Sequence, residues 1–291
     1  MAAITARLRS IVASPLLPRL GLPLLLLVCF LRYLPGLFAG AGRYHDDGLY
    51  MLTGRALAEG HGYRIASLSG MPPQTKYPVF YPALLALLWK LDPDFPANTF
   101  LFRFANVVLG LVTLALTYRL LVRFRYATPP MALLVVLFWG LSAEAATFTS
   151  QAYSEMLATL FLMASLWGCA AAGEKETDKE AVRPALASGV LLGLAFLTRS
   201  SVFFLGFAFA WALWKRGRTR VLALALGVLP AYLGWMLWSR QAASLPGWDV
   251  RGYYLDYLGW TLHQYALIPL PRVLAANLVQ LSVFALPSQV V

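Results

Sequence analysis

The sequence LGLPLLLLVCFLRYLPGLFA, residues 20–39, is an apolar run of about the length that crosses a bilayer as a helix. Directly after it the chain reads GAGRYHDDGLYMLTGRALAEGHGYR, residues 40–64, with two adjacent aspartates. Carboxylates at a bilayer surface are costly to desolvate, and they are seldom without a role. This junction predicts a membrane anchor that leads into a charged segment at the membrane surface.

The composition places the whole chain in the membrane class. Hydrophobic residues make up 59% of the 291 residues, against roughly 45–50% in soluble domains. Apolar runs long enough to span recur along the chain, and runs of this kind cross a bilayer as helices. They predict an all-α integral membrane protein, a single domain over residues 1–291, with seven spans and the start of an eighth in residues 278–291. The seven predicted spans lie at about 20–39, 100–119, 130–148, 153–172, 184–198, 201–214 and 221–240. The fifth and sixth are short, and the alternative is that they form one interrupted pair.

The basic residues predict how the chain is oriented in the membrane. The net charge is +11, and most of the cations collect in alternate loops, which the positive-inside rule places in the cytoplasm. Two long segments, 41–98 and 244–272, then lie on the extracytoplasmic side. Membrane topology accounts for the positive net charge, and the sequence contains no nucleic-acid recognition motif. The cations concerned are Arg7, Arg9, Arg19, Arg119, Arg123, Arg125, Lys175, Lys179, Arg183, Lys215, Arg216, Arg218 and Arg220.

The first extracytoplasmic segment begins with an amphipathic pattern. Apolar residues recur at near-helical spacing over residues 46–59, which predicts a helix lying in the membrane interface. Asp46 and Asp47 fall in its first turn, where the helix dipole favours carboxylates. From the residues alone, capping of this helix and a part in chemistry both stay open for the acidic pair.

A proline-rich stretch follows, MPPQTKYPVFYP, residues 71–82, and leads into a second amphipathic helix. Prolines do not extend a helix interior, so they predict a rigid turn from which Lys76 projects. Snorkelling of Lys76 to water is the alternative. For the aromatic residues we favour an interfacial belt, formed by Tyr77, Phe80, Tyr81 and Trp89.

The order of these features resembles the first extracytoplasmic loop of GT-C glycosyltransferases that use polyprenyl-phosphate sugars. The features are the acidic pair, ALAEGHGY at residues 56–63 and KYPVFYPALLALLW at residues 76–89. The chain is similar to bacterial dolichyl-phosphate-mannose-protein mannosyltransferase-like proteins, including lipid A aminoarabinose transferases, over roughly residues 20–215. The resemblance implies a GT-C fold with interfacial helices in the first outer loop. Relatives usually carry more spans and a soluble C-terminal portion, so a truncated member is one expectation.

The resemblance assigns roles to three residues of the outer loop. It implies that Asp46 is the catalytic base and that Asp47, the second acid, helps to hold the acceptor or the geometry of the site. It implies that Lys76 contacts the phosphate of the donor. Such a donor keeps its lipid tail in the bilayer and its phosphate at the interface, where cations at membrane depth can hold it.

The resemblance adds two residues from later segments. Glu155 in QAYSEMLATLFL, residues 151–162, matches an acid that relatives place at the start of this span, and it is a candidate for acceptor or donor contacts. Arg199 in LLGLAFLTRSSVFF, residues 191–204, matches a basic residue for the lipid phosphate. The structural alternatives are that Glu155 is an acid favoured at a helix N-terminus and that Arg199 extends its charge toward water.

Three further residues are candidates for acceptor or donor contacts: Tyr50, Tyr81 and His263. For His263, in the second extracytoplasmic segment, a hydrogen-bonded interfacial residue is the favoured interpretation.

No metal site is assigned by the sequence. Thr75 stands where the aminoarabinose transferases carry a glutamate implicated in metal binding, which leaves a divalent ion open and its ligands unknown. Cys29 and Cys169 both fall within apolar runs, which predicts neither a disulfide nor a thiolate site.

The resemblance and the charges together predict a membrane glycosyltransferase. It would move a sugar, with inversion, from a polyprenyl-phosphate donor to a glycan, lipid or protein acceptor on the periplasmic face of a bacterial inner membrane. Two alternatives remain: a scaffold that binds polyprenyl phosphate without catalysis, and a transporter whose intramembrane charges line a path.

Overall fold

A computed structural model describes residues 16–40, 42, 45–244, 271–272, 274–276 and 278–279, and the regular structure in it is helical. The predicted all-α class is confirmed, and the protein is a multi-pass integral membrane protein. The helices of the continuous part are α1 Leu16–Leu37, α2 His45–Ala58, α3 Phe80–Leu91, α4 Thr99–Arg123, α5 Pro129–Leu141, α6 Ala143–Ser150, α7 Glu155–Glu174, α8 Asp178–Thr198, a 3₁₀ helix Ser200–Phe204, α9 Leu205–Trp214 and α10 Arg218–Ser244.

Five of these helices, α1, α4, α7, α8 and α10, are long and apolar enough to cross a membrane. The predicted span at 130–148 is instead two helices, α5 and α6, bent by 65°. The break falls at Ser142, which is extended and whose hydroxyl accepts a hydrogen bond from the Ala145 amide, so that the helix begins anew. If the bent pair is one span, the described part has six, short of the seven or eight predicted.

The predicted span at 201–214 does not form one long helix. Arg199 has extended backbone angles, a 3₁₀ helix follows it, and α9 contains only 10 residues. At about 1.5 Å per residue, a helix of that length covers about half of a hydrocarbon core of about 30 Å. The predicted fifth span belongs to α8, which is 21 residues long and can cross a membrane by itself, so it is not half of an interrupted pair.

Small residues allow α8 to approach α10 very closely. A Cβ added at Gly189 would lie 2.1 Å from the Leu224 carbonyl oxygen. On its other side α8 contacts α7, where the Ser165 and Ser188 hydroxyls hydrogen-bond to each other over 3.1 Å. Helices in lipid associate through this kind of close packing, since lipid tails provide no hydrophobic drive.

Helices α2 and α3 pack together at the end of the bundle where α1 stops and α4 starts, and we call this the α2–α3 end. Gly54 lets them touch, because its built Cβ would lie 3.0 Å from the Leu85 Cβ. Leu87 and Leu91, on the other side of α3, are 64% and 77% exposed, as expected of an amphipathic helix.

The predicted aromatic belt is wrong for two of its members. Tyr81 and Trp89 are buried, and the Trp89 ring stacks on Phe102 of α4 with centroids 5.5 Å apart. These rings form the contact between α3 and the bundle and do not face lipid. The hydrophobic pattern alone could not distinguish a ring that faces lipid from a ring that faces a neighbouring helix.

At the opposite end of the bundle a buried arginine ties three helices together. Arg220, only 3% exposed, forms a 2.9 Å ion pair with Asp178. It also donates to the carbonyl oxygens of Ala172 and Lys175 at the end of α7. This arrangement fixes the turn between α7 and α8 against the start of α10.

Candidate active site

A cavity of about 340 Å³ lies at the α2–α3 end, between the first turn of α2, the turn after residue 75 and the end of α8. Four residues predicted from the sequence line it: Asp46, Tyr50, Lys76 and Arg199. They come from three separate segments, so the fold gathers them. Its remaining lining residues are Tyr77, Pro78, Thr198, Ser200 and Ser201.

Lys76 is presented by a turn that hydrogen bonds hold in place. Its amide donates to Oε1 of Gln74, and the indole of Trp238 on α10 donates to the Gln74 carbonyl oxygen. The Tyr63 hydroxyl donates to the Tyr77 carbonyl oxygen over 2.8 Å. A turn is present at Lys76, and side chains from α10 and the preceding loop contribute hydrogen bonds to it.

Tyr77 links the lysine to the aspartate. Its hydroxyl donates a 2.6 Å hydrogen bond to Oδ1 of Asp46, and Nζ of Lys76 lies 4.9 Å from the centre of its ring. The His45 ring nitrogen also approaches Oδ1 of Asp46, at 3.4 Å. From the sequence, Tyr77 was predicted only as a member of an aromatic belt. The one sequence signal for a further role was its position between Lys76 and Pro78.

Arg199 reaches the cavity because α8 ends one residue before it. Its Nη1 donates to Oε1 of Glu155 over 2.7 Å and lies 3.5 Å from the Ser154 hydroxyl oxygen. The Arg199 side chain is 40% exposed, whereas that of Glu155 is 17% exposed. Glu155 thus stands behind Arg199, and its charge also interacts with that of Asp46.

Tyr50 contributes a neutral hydroxyl to the same region. Burial raises the pKa of Tyr50 well above its ordinary value, so the phenol stays protonated at physiological pH. Its hydroxyl hydrogen-bonds to the Ser154 hydroxyl over 2.9 Å. Through Ser154 it supports the Glu155–Arg199 pair.

Asp47 does not line the cavity. Its side chain is buried, and Oδ1 accepts a 2.8 Å hydrogen bond from the Gly48 amide. Its charge acts on Arg103 of α4, which donates to the carbonyl oxygens of Leu37, Ala39 and Gly40 at the end of α1. The two aspartates are therefore separated, with Asp46 facing the cavity and Asp47 facing the bundle.

Tyr81 also lies behind the cavity. Its hydroxyl donates to Oδ1 of Asn106, and its ring meets Tyr50 edge-on at 5.1 Å. Asn106, whose part sequence reasoning missed, donates to the carbonyl oxygens of Gln151 and Tyr153 and so fixes the break before α7. A lone asparagine inside an apolar run was the only signal. His263 lies outside the described residues.

The described part of the chain bears on the metal that the resemblance left open. There, no group of three or more His, Cys, Asp or Glu side chains is arranged to hold an ion. Thr75, which the resemblance aligns with a glutamate of the aminoarabinose transferases, supplies no carboxylate. No ligand set for a metal is assigned.

These features define a polytopic membrane protein with a charged cavity at one end of its helical bundle. The family model for dolichyl-phosphate-mannose-protein mannosyltransferase matches residues 76–242, more than half of the chain, and the chain belongs to this family of membrane glycosyltransferases. The match includes Lys76, Glu155 and Arg199, while Asp46 precedes it. No curated protein and no solved structure matched the chain.

Proposed function

We propose that the protein transfers a sugar from a polyprenyl-phosphate donor to an acceptor on the extracytoplasmic side of the membrane, with inversion at the anomeric carbon. Family membership supports the donor class. The single observation that carries the rest is the cavity at the α2–α3 end, where a carboxylate and two cations from three segments face a common space. Its volume of about 340 Å³ falls within the range of small-ligand sites.

The donor phosphate would bind between Lys76 and Arg199. Lysine offers a point charge, whereas the guanidinium of arginine can offer two parallel donors to phosphate oxygens. Because Nη1 of Arg199 already donates to Glu155, we assign the other terminal nitrogen to the phosphate. Glu155 holds the guanidinium in one orientation, which reduces the entropy lost when the donor binds.

The donor's isoprenoid tail would leave the site along α8. An apolar cavity of about 200 Å³ lies among α8, α9 and α10, and Phe196, Phe203 and Phe207 line it. Phe203 belongs to the 3₁₀ helix that starts directly after Arg199. A phosphate at Arg199 therefore places the first isoprene units beside this cavity.

Asp46 would act as the base in the transfer. An acceptor O–H gives its proton to the carboxylate as its oxygen forms a bond to the anomeric carbon, and the bond from that carbon to the phosphate oxygen breaks with its electron pair on the phosphate. Lys76 and Arg199 stabilise the charge that develops on the leaving phosphate. Tyr77 and His45 both contact Oδ1 of Asp46, so we assign the proton to Oδ2.

A reconstituted transfer assay tests the proposal. The protein is placed in phosphatidylcholine vesicles with polyprenyl-phosphate mannose labelled in the sugar, and loss of label from the lipid is measured together with donor binding. A parallel sample receives GDP-mannose as the only donor. We expect turnover of the lipid donor and none of the nucleotide donor. Binding of the lipid donor without any release of sugar would favour the non-catalytic scaffold.

A further inference from the structure

A second cavity adjoins the Glu155–Arg199 ion pair. It measures about 570 Å³ and lies among α4, α5, α6 and α7. Glu155 lines this cavity, while its partner Arg199 lines the candidate active site. The ion pair therefore stands between two cavities, only one of which is used in the mechanism above.

The second cavity is apolar along its length and polar at one end. Trp139, Phe148 and Met163 supply apolar walls, and Glu155 marks the polar end. Glu155 and Met163 are separated by about two turns of α7, which is about 12 Å along the helix axis. The cavity thus extends from the charged end of the span toward the middle of the membrane.

The cavity reaches the surface of the described bundle. Val135, one of its lining residues, is 45% exposed, and Glu144 at the start of α6 is exposed as well. Ser142, at the 65° bend between α5 and α6, also lines the cavity. A molecule could enter sideways from the bilayer.

The described lining of this cavity offers no cation to hold a phosphate head. Two carboxylates, Glu144 and Glu155, line the cavity, and its lining among the described residues includes no lysine or arginine. Arg199 balances the charge of Glu155, so the Glu144 carboxylate is the charge in the lining that repels a phosphate, whereas both carboxylates can accept hydrogen bonds from hydroxyl groups. The occupant that fits has apolar chains and an uncharged head bearing hydroxyls. An isoprenoid phosphate does not fit, and the donor's tail already has an apolar cavity beside Arg199.

We propose that this second cavity binds the acceptor, and that the acceptor is a membrane lipid with an uncharged, hydroxyl-bearing head. The inference rests on the proposed function, because it needs a transfer site on the other side of the ion pair. A head at Glu155 lies beside the candidate active site, since Glu155 is 2.7 Å from Arg199, which lines that site. Donor and acceptor would thus enter from the bilayer on opposite sides of Arg199.

Photolabelling tests the inference without any turnover. The full chain is placed in phosphatidylcholine nanodiscs with a photoreactive diacylglycerol, which has an uncharged head with one hydroxyl, or with photoreactive phosphatidic acid carrying the same chains. We expect the diacylglycerol to label peptides from residues 129–163 about tenfold more than phosphatidic acid does, a difference of about 1.4 kcal/mol.

Two variants and a matched control sharpen the test. Val135→Trp fills the cavity and should reduce diacylglycerol labelling about tenfold. Val112→Trp, at a 47% exposed position of α4 outside the cavity lining, should leave labelling unchanged. Glu144→Lys should shift the preference toward phosphatidic acid. Elution of each variant as a monodisperse species on size exclusion establishes that it is folded.

Three results would overturn the inference: equal labelling by both lipids, labelling of Val135→Trp equal to that of the wild type, or full transfer activity of Val135→Trp on a water-soluble peptide or glycan. The last would make the acceptor a soluble molecule. Because labelling requires neither donor nor catalysis, a loss of labelling is distinguishable from a failure of the transferase proposal, which only the transfer assay reports.

Discussion

Tyr77 donates a 2.6 Å hydrogen bond to Asp46, which lies 31 residues earlier in the first turn of α2. Lys76, the neighbour of Tyr77, lies over the same aromatic ring. The phenol therefore joins the residue proposed as the base to one of the cations proposed to hold the phosphate. A shift of the loop that carries Lys76 would also move the hydrogen bond to Asp46.

Removing the Tyr77 hydroxyl should impair sugar transfer more than donor binding. Tyr77→Phe keeps the ring for Lys76 but removes the hydrogen bond to a carboxylate, an interaction of about 1.5–3 kcal/mol. We expect kcat to fall about tenfold to a hundredfold, with the donor KM little changed. Steady-state kinetics on the lipid donor measure both constants. Tyr126→Phe, at an exposed tyrosine outside the cavity, serves as the control. A variant with normal kcat would show that the Tyr77 hydroxyl does not position Asp46.

The charge of Lys76 should contribute to binding of the donor phosphate. Lys76→Met retains much of the side-chain length without the charge, so we expect donor affinity to fall about tenfold, the loss of about 1.4 kcal/mol. The matched control is Lys90→Met, at an exposed lysine on α3 that does not line the cavity. Equilibrium binding of polyprenyl phosphate in nanodiscs gives both values. Equal affinities for the two variants would remove Lys76 from the phosphate site.

The predicted orientation can be tested by labelling engineered cysteines in intact cells. Cys29 and Cys169 are buried, so they give little background with a membrane-impermeant maleimide. Glu59→Cys, at an exposed position beside α2, should react from outside. Arg216→Cys, exposed between α9 and α10, should react only after the membrane is permeabilised. The reverse pattern would place the charged cavity on the cytoplasmic side.

The close approach of α8 and α10 should be sensitive to a single methyl group. Gly189→Ala puts a Cβ 2.1 Å from the Leu224 carbonyl oxygen, so the helices must separate, and overpacking of this kind costs about 1–3 kcal/mol. Gly234→Ala, on α10 with nothing within 4 Å of its built Cβ, should be neutral or stabilising because alanine favours helix. Thermal unfolding in detergent followed by tryptophan fluorescence measures both. An unchanged melting temperature for Gly189→Ala would contradict this helix contact.

Much of the architecture follows from local patterns in the sequence. Apolar length predicts α1, α4, α7, α8 and α10, and near-helical spacing after residue 46 predicts α2, because these signals reside in consecutive residues. The bend at Ser142 was not predicted. The apolar run continues across it, and the extended conformation there depends on one side chain capping the next helix.

The candidate active site could be predicted only in part, because some of its contacts join distant segments of the chain. Asp46, Lys76 and Arg199 stand out because charges near apolar runs are conspicuous, and the resemblance adds their roles. The contributions of Tyr77 and Asn106 arise only from contacts between distant segments, such as the 2.8 Å hydrogen bond from Asn106 to the Tyr153 carbonyl oxygen. The different surroundings of Asp46 and Asp47 likewise depend on how α2 docks beside α4. The sequence, in which the two aspartates are adjacent, does not show that their surroundings differ.

The most direct test of the central claim compares sugar transfer and donor binding in Asp46→Asn. An amide of the same size cannot accept the acceptor proton, and general-base catalysis contributes about 10²–10⁴-fold to a rate. We therefore predict a fall in single-turnover transfer of about that size with donor binding unchanged, while Asp94→Asn, at an exposed aspartate outside the cavity, behaves as the wild type. Transfer by Asp46→Asn at the wild-type rate would contradict the account.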